Sequence, residues 1–424
     1  MLNLKTSNFD RLFIIYIIIF VLALSVAIYA RGGRDLKVDI YGAQQALNKD
    51  SIYKNPTGDD PRPLFRYAPG FAIMVYPFIL TSQPYKAVRG HIEIDGIMPS
   101  VFAWYFFKIL LLFLSAIILL KLIPCVSKDV ALRNLKVSFM LALPLIGCEL
   151  ANGQNKILAL FFMLLALWLF SRKKLFISAL CFCLAATVHI PLAIFAVYFV
   201  LRNKKFILNL AAAALVVFFL LPSLVFGVHF NIYLLKEWFL NNIKPFCLTN
   251  SYATYADLRV SSQSLPSAIG RMFVSGYTGN FKYLISPFAV HAVIRAVGIV
   301  LLFFSCFASW KRLNPVSEGL CYILFFILSI LLPQYSITYI WSWSLVFYFA
   351  VFNYISYPEV SHRKRKFMLA LAAILFITSI SISLKVCNRF SVLFWGTVIL
   401  WAGIVGVLIK NIWRKPWQKT CRKS

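Results

Sequence analysis

Carboxylates are scarce in this chain: 14 Asp and Glu stand against 43 Lys and Arg, and charged residues of both signs make up only 13% of 424 positions. An ordinary soluble domain carries about 25% charged residues, so a soluble globular fold is excluded. The sequence also lacks a Gly-rich phosphate loop, GxGxxG, HExxH, GxSxG and any DxD-like element set in a soluble domain, and a soluble nucleotide donor has little support. Its nine Cys form no CxxC pair. Most of them, Cys148, Cys181, Cys183, Cys306 and Cys321, lie inside apolar blocks and read as small buried hydrophobes, with neither a disulfide framework nor a metal site implied. The alternating ten-residue segments of an outer-membrane barrel are missing. No internal repeat is visible, which disfavours an inverted-repeat transporter.

What is present is hydrocarbon: 61% of residues are hydrophobic, gathered in blocks near the roughly 20 residues a helix needs to cross a bilayer. In lipid each backbone amide must find an internal partner, so the expected fold is an all-α integral membrane protein with about 12 (10–13) transmembrane helices. The expected spans are Leu12–Ala30, Val101–Leu122, Leu135–Leu150, Ile157–Phe170, Leu175–Val188, Pro191–Leu201, Phe206–Gly227, Ala292–Trp310, Leu320–Leu332, Tyr339–Ile355, Phe367–Leu384 and Ser391–Lys410. Some are too short to cross alone and must be buried among neighbours or line a cavity.

The net charge of +29 does not gather in a nucleic-acid-binding motif; Lys and Arg flank the apolar blocks instead. With the N-terminus cytoplasmic, the short connections holding Lys128/Arg133, Arg172–Lys174, Arg202/Lys204/Lys205, Lys311/Arg312, Arg363–Lys366 and the tail all fall on one side, as the positive-inside rule requires. Ala151–Asn155 and Pro333–Thr338, on the other side, contain no Lys or Arg. Two long polar segments, Arg31–Ser100 and His229–His291, then face outward, and the whole chain 1–424 reads as one polytopic domain. Within them Gly70–Leu80 reads as a re-entrant or interfacial piece and Leu234–Ile243 as an interfacial amphipathic helix.

The outer face collects the unusual polar residues. Asp35 and Asp39 follow the first helix among Arg31, Arg34 and Lys37, where a carboxylate can serve as a general base or form a surface ion pair. Asn152-Gly-Gln154-Asn155 is a turn whose carboxamides can bind hydroxyls or phosphate oxygens, and Glu149 one turn earlier is an ionisable group at membrane depth. His189, at a helix break, is either a satisfied helix-end residue or a phosphate donor. Gln263 and Ser264, followed by Arg271, supply an amide, a hydroxyl and a guanidinium suited to phosphate, although an interfacial Arg snorkels just as well. Arg66 and Tyr67 precede the short apolar stretch, the Tyr placed to stack on a sugar or to anchor in the aromatic belt. Asp59 and Asp60 read as a solvated pair in a Pro-rich loop.

Taken in order, Asp35-Leu-Lys-Val, Ile52-Tyr53, Arg66-Tyr67-Ala-Pro69, Gly153-Gln-Asn155 and Gln263-Ser-Leu265 with Arg271 resemble the polyprenyl-phosphate-sugar-dependent glycosyltransferases of family 87, which include bacterial alpha-1,2-mannosyltransferases. The likeness runs from about Leu12 to Arg271. It implies a GT-C-type bundle, an inverting reaction and an Asp in the first outer loop as base. The chain departs from the family pattern in having Asp39 where Tyr is usual, which makes a second candidate base. It also has His189 where Lys is frequent, and a connection over Pro333–Tyr339 without the family's frequent His.

The resemblance thus implies transfer of a hexose such as mannose from a polyprenyl-phosphate sugar to a glycolipid or glycan acceptor, at the outer face of a bacterial inner membrane. Asp35 or Asp39 is the expected base; Arg271, His189, Gln263 and Ser264 are expected at the donor phosphate; Arg66, Tyr67, Gln154 and Asn155 are expected at the substrates. The expected partners are those two substrates and membrane lipids, with no metal, cofactor or nucleic acid. Two other classes remain open: a glycan polymerase or ligase using undecaprenyl-diphosphate donors, and a flippase or transporter of lipid-linked sugars.

Overall fold

A computed structural model describes residues 6–31, 33–53, 65–80, 85–88, 91–94, 96–244, 262–275, 282–310, 315–333, 338–381 and 391–413. Asp59, Asp60, Lys311, Arg312, most of the connection after Pro333 and the tail from 414 lie outside these residues, as does the side chain of Arg31.

The described chain is helical. The first elements are α1 (Thr6–Arg31), α2 (Arg34–Leu47), α3 (Pro69–Val75), α4 (Met98–Leu122), α5 (Lys128–Ala151), α6 (Lys156–Ser171), α7 (Leu175–Val188) and α8 (Phe195–Arg202). They are followed by α9 (Phe206–Ala214), α10 (Leu221–Phe226), α11 (Val228–Trp238), α12 (Leu265–Phe273) and α13 (Pro287–Trp310). The last are α14 (Pro315–Leu331), α15 (Ser344–Ser356), α16 (His362–Ile380) and α17 (Val392–Trp413). Two short antiparallel ladders interrupt them: Tyr85–Val88 with His91–Ile94, Tyr85 opposite Ile94, and Val274–Ser275 with Lys282–Tyr283.

Within the described residues each expected span falls on helix, and the last three residues of Phe367–Leu384 lie outside them. Among the described residues six helices are long and apolar enough to cross a membrane, and the chain is a multi-pass membrane protein. Large apolar side chains stay exposed along them, including Ile15, Ile19, Leu22 and Val26 on α1, which is where a bilayer rather than water must cover the surface.

The segments expected as outer loops are not wholly irregular. Arg31–Ser100 contains α2, whose Leu36, Ile40 and Ala43 are buried at helical spacing. The expected re-entrant piece is α3 continued by a 3-10 turn over Tyr76–Phe78. His229–His291 contains nearly all of α11, then α12 and the start of α13. α11 runs on through a wide π-type turn over Phe239–Ile243, so the segment expected as an amphipathic helix is helical.

Two compact units divide the chain, one comprising Met1–Ile118, Leu143–Ile190 and Ile207–Thr249, the other Leu119–Ala142, Pro191–Phe206 and Asn250–Ser424. In the first, α6 packs along α7, and α9 reaches α10 through a π-type turn at Leu215–Leu220. Pro222 gives no amide hydrogen to this stretch. The buried Asn231 of α11 compensates, its Nδ2 reaching the carbonyls of Phe218 and Phe219 at 3.4 and 3.1 Å and Ser223 Oγ at 3.0 Å. Unsatisfied carbonyls in an apolar surrounding are costly, which explains an Asn at this depth.

In the second unit α16 and α17 meet across small residues. Gly396 and Gly403, two turns apart on α17, lie so close to α16 that a Cβ would fall 2.5 Å from Thr378 Oγ1 and 2.3 Å from Leu371 Cδ1. Trp401 Nε1 donates to Ser305 Oγ of α13 at 2.8 Å. Phe195, Phe326 and Trp343 form an edge-to-face aromatic core, with centroids 4.8 and 5.4 Å apart. Beside it Arg202 donates to Glu318 at 2.9 Å and the Tyr198 hydroxyl donates to the same carboxylate.

Candidate active site

The site starts from two glycines in the first unit. Gly33, at φ 64, begins α2, and Gly153, at φ 72, turns the chain between α5 and α6; both conformations are ones that side chains other than Gly rarely adopt. Added at Gly153, a Cβ would stand 3.2 Å from the Leu36 nitrogen and 3.6 Å from the Gly33 carbonyl carbon. Backbone therefore meets backbone. The contact is closed by the Asp35 amide donating to the Asn152 carbonyl at 3.2 Å.

That docking brings two carboxylates to two carboxamides. Asp35 and Asp39, four residues apart, share one face of α2. Gln154 Nε2 donates to Asp35 Oδ2, and Asn155 Nδ2 donates to Asp39 Oδ2 at 2.8 Å. The pairs differ in access: Asp35 is half-buried, whereas Asp39 is 1% exposed and Asn155 fully enclosed. Burial lifts the Asp35 carboxyl above the usual aspartate range, opposed by the Gln154 amide and the charges of Arg34, Lys156 and Lys108. Asp39 is lifted much further by burial, the Asn155 bond opposing and the neighbouring Asp35 charge adding to the rise. Of the two, Asp35 is the carboxylate open to an external hydroxyl.

Around them stand groups the sequence reading singled out and groups it passed over. Lys156 Nζ is 3.2 Å from His189 Nδ1, so an ammonium there donates to that nitrogen and leaves the ring proton on Nε2. Lys156 also lies 5.9 Å from the centroid of the Tyr67 ring, and the Tyr67 main-chain carbonyl accepts from the Tyr53 hydroxyl at 2.8 Å. Glu149 faces inward: its Oε1 accepts the amides of Lys156 and Ile157, at 3.0 and 3.3 Å, and so caps α6. Lys108, fully buried on α4, donates to the Gln154 carbonyl at 2.9 Å.

Asp35, Asp39, Gln154, Asn155, Tyr67 and His189 are therefore one cluster, and Arg66, exposed beside Tyr67, acts electrostatically on Lys156. Lys108 and Lys156 were missed. A Lys within Phe102–Leu114 is an ionisable group at membrane depth, the same signal that had drawn attention to Glu149. Lys156 fell between the turn ending at Asn155 and the span beginning at Ile157.

In the second unit the remaining expected residues form a separate arrangement. Ser264 caps α12, its Oγ accepting the Ser267 amide at 3.3 Å, and the buried hydroxyls of Ser262, Ser264 and Ser267 bond one another at 2.7–3.4 Å. Arg271 Nη2 donates to the Ser262 carbonyl at 2.7 Å and its Nε to Ser391 Oγ at 3.1 Å. Gln263 is buried beside them in sequence.

The sequence model of glycosyltransferase family 87 matches residues 65–333. The chain belongs to that family. As a family 87 glycosyltransferase it is a transferase that acts on a sugar donor and an acceptor. The match begins after Asp35 and Asp39 and ends beyond Arg271, so it reaches further toward the C-terminus, and less far toward the N-terminus, than the motifs of the likeness. No match to a curated protein was found.

Proposed function

We propose that this glycosyltransferase moves a hexose such as mannose from a polyprenyl-phosphate sugar to a glycolipid or glycan acceptor, with inversion and with Asp35 as general base. Asp35 takes the proton of the acceptor hydroxyl as the hydroxyl oxygen bonds to the anomeric carbon. The bond from that carbon to the phosphate oxygen breaks, and its electron pair leaves with the polyprenyl phosphate. The observation that carries this reading is the contrast within α2: Asp35 is half-buried and oriented by Gln154, while Asp39 is enclosed against Asn155.

In the first unit the cation suited to the departing phosphate is half-buried Lys156, oriented by His189, with Tyr67 and Arg66 beside it for the sugar. A donor-phosphate role for Arg271, Gln263 and Ser264 is proposed separately, on the guanidinium, amide and hydroxyl chemistry of the second unit alone. The charge pattern supports an extracytoplasmic site in a GT-C-type bundle of about twelve spans, with both termini cytoplasmic. A Cys placed at Lys173 should react with a membrane-impermeant reagent from the cytoplasmic side only.

The deciding experiment incubates the purified protein with labelled polyprenyl-phosphate hexoses and candidate acceptors, and determines the anomeric configuration of the product. Inverted product supports the proposal. Retained configuration refutes the single displacement, exclusive use of a polyprenyl-diphosphate donor favours a polymerase or ligase, and passage of unmodified lipid across vesicles favours a flippase.

A further inference from the structure

Behind Asp35 stands a buried pair that the proposed reaction leaves unused. Lys108 and Glu149 have side chains 0% exposed, with their charged groups 3.8 Å apart. That is long for a closed pair, and both turn their remaining bonds on the same short segment. Lys108 Nζ donates to the Gln154 carbonyl at 2.9 Å; Glu149 Oε1 accepts the amides of Lys156 and Ile157 at 3.0 and 3.3 Å; the Glu149 carbonyl accepts the Gln154 amide at 3.2 Å. Residues 154–157 are thus held by their main chain. Gln154 and Asn155 project from that segment to Asp35 and Asp39.

We propose that Lys108 and Glu149 are positioning residues for sugar transfer, a buried charge pair that fixes the 154–157 segment so that its two side-chain amides meet the two carboxylates of α2. This rests on the reading of Asp35 as the base. Packing gives the pair little reason to exist, because two apolar residues of similar volume would fill the space without desolvating two charges. Each partner instead supplies what an apolar residue lacks, a donor for a turn carbonyl and an acceptor for helix-end amides. The charges that bear on Asp35 are Arg34 on its own helix, Lys108 on α4 and Lys156 on α6; the other titratable groups nearby are Asp39 on α2, and Glu149 and His189 next to the two lysines. Lys108 favours the ionised carboxylate, so its removal makes Asp35 harder to deprotonate.

Lys108→Met strands the Glu149 charge and can fail to fold, so the test uses Lys108→Met/Glu149→Gln, which removes both charges and keeps an acceptor oxygen for α6. The double variant should unfold at the wild-type temperature, while kcat falls roughly 10–100-fold, as for a misplaced reacting group, and donor KM stays within about twofold. Its acid limb should move to higher pH, and amides in 150–158 should exchange hydrogen faster. Wild-type kcat, acid limb and exchange together would reduce the pair to a structural contact; a slow enzyme with an unmoved limb and unchanged exchange would also overturn the proposal. Asp35→Asn is run alongside. If it transfers sugar at the wild-type rate the base reading fails, and the exchange measurement, which needs no turnover, still decides whether the pair holds the turn.

Discussion

The two units each hold an ion pair at helical positions, and the pairs are built differently. Arg202 and Glu318 meet at 2.9 Å and stay among side chains: Tyr198 donates to the same carboxylate, its ring lies 5.5 Å from the guanidinium, and Cys321 Sγ is 3.8 Å from Nη2. Lys108 and Glu149 stand 3.8 Å apart and bond outward, to the main chain of a turn. Opposite charge on neighbouring helices is common to both. What separates a clamp between helices from a device that aims other groups is the destination of the remaining hydrogen bonds.

The largest expected effect tests what is being aimed. Asp35→Asn keeps the size and polarity of the residue but not its basicity, so turnover should drop roughly 10²–10⁴-fold with donor binding retained. Asp39→Asn, at an enclosed position already bonded to Asn155, should cost far less; kcat and donor binding measured on both variants decide. A dead Asp39→Asn enzyme beside an unimpaired Asp35→Asn enzyme would move the base to Asp39.

Arg271→Ala extends the comparison to another cation of the second unit. Losing charge-assisted hydrogen bonds to a phosphate should raise the donor KM about 10–100-fold and leave the acceptor KM unchanged. A change confined to the acceptor would remove Arg271 from the phosphate.

Glu318→Gln should break the closed pair without touching chemistry. Glu318 is partly exposed, so a loss of about 2 kcal/mol is expected, below the 3–5 kcal/mol for breaking a fully buried pair. Thermal unfolding should show it, while turnover per folded molecule stays at the wild-type level. A fall in kcat at full stability would abolish the distinction drawn between the two pairs.

The smallest effect is one of position along the pH axis. A base works deprotonated, so activity is lost as pH falls through its pKa; because burial raises that of Asp35, the acid limb should lie at higher pH than an unperturbed aspartate gives. A limb at or below the unperturbed position in a pH–kcat/KM profile would place the base elsewhere.

Long apolar helices were legible because hydropathy reports directly on the lipid that surrounds them, and even short pieces such as Pro191–Leu201 fall on helix. α2 was not read as a helix, although Leu36, Ile40 and Ala43 carry its period, because Gly, Pro and charged neighbours dominate the polar segment it belongs to. Asp35 and Gln154 could each be named from the sequence, but their bond could not: 119 residues separate them, and no local pattern encodes which turn meets which helix. Glu149 was noticed for its depth alone, and its partners show it turned toward the start of α6.

The contact between Gly33 and Gly153 has a consequence for motion. Asp35 and the amide that orients it are joined through main chain, by the Asp35 amide on the Asn152 carbonyl and by the close approach of Gly153 to the first turn of α2, at Gly33 and Leu36. A thermal displacement of α2 therefore carries the turn with it, and a displacement of the turn carries α2. Such fluctuations are common to both groups and cancel in the distance between them, so the geometry at the carboxylate can stay sharp while the surrounding segment drifts.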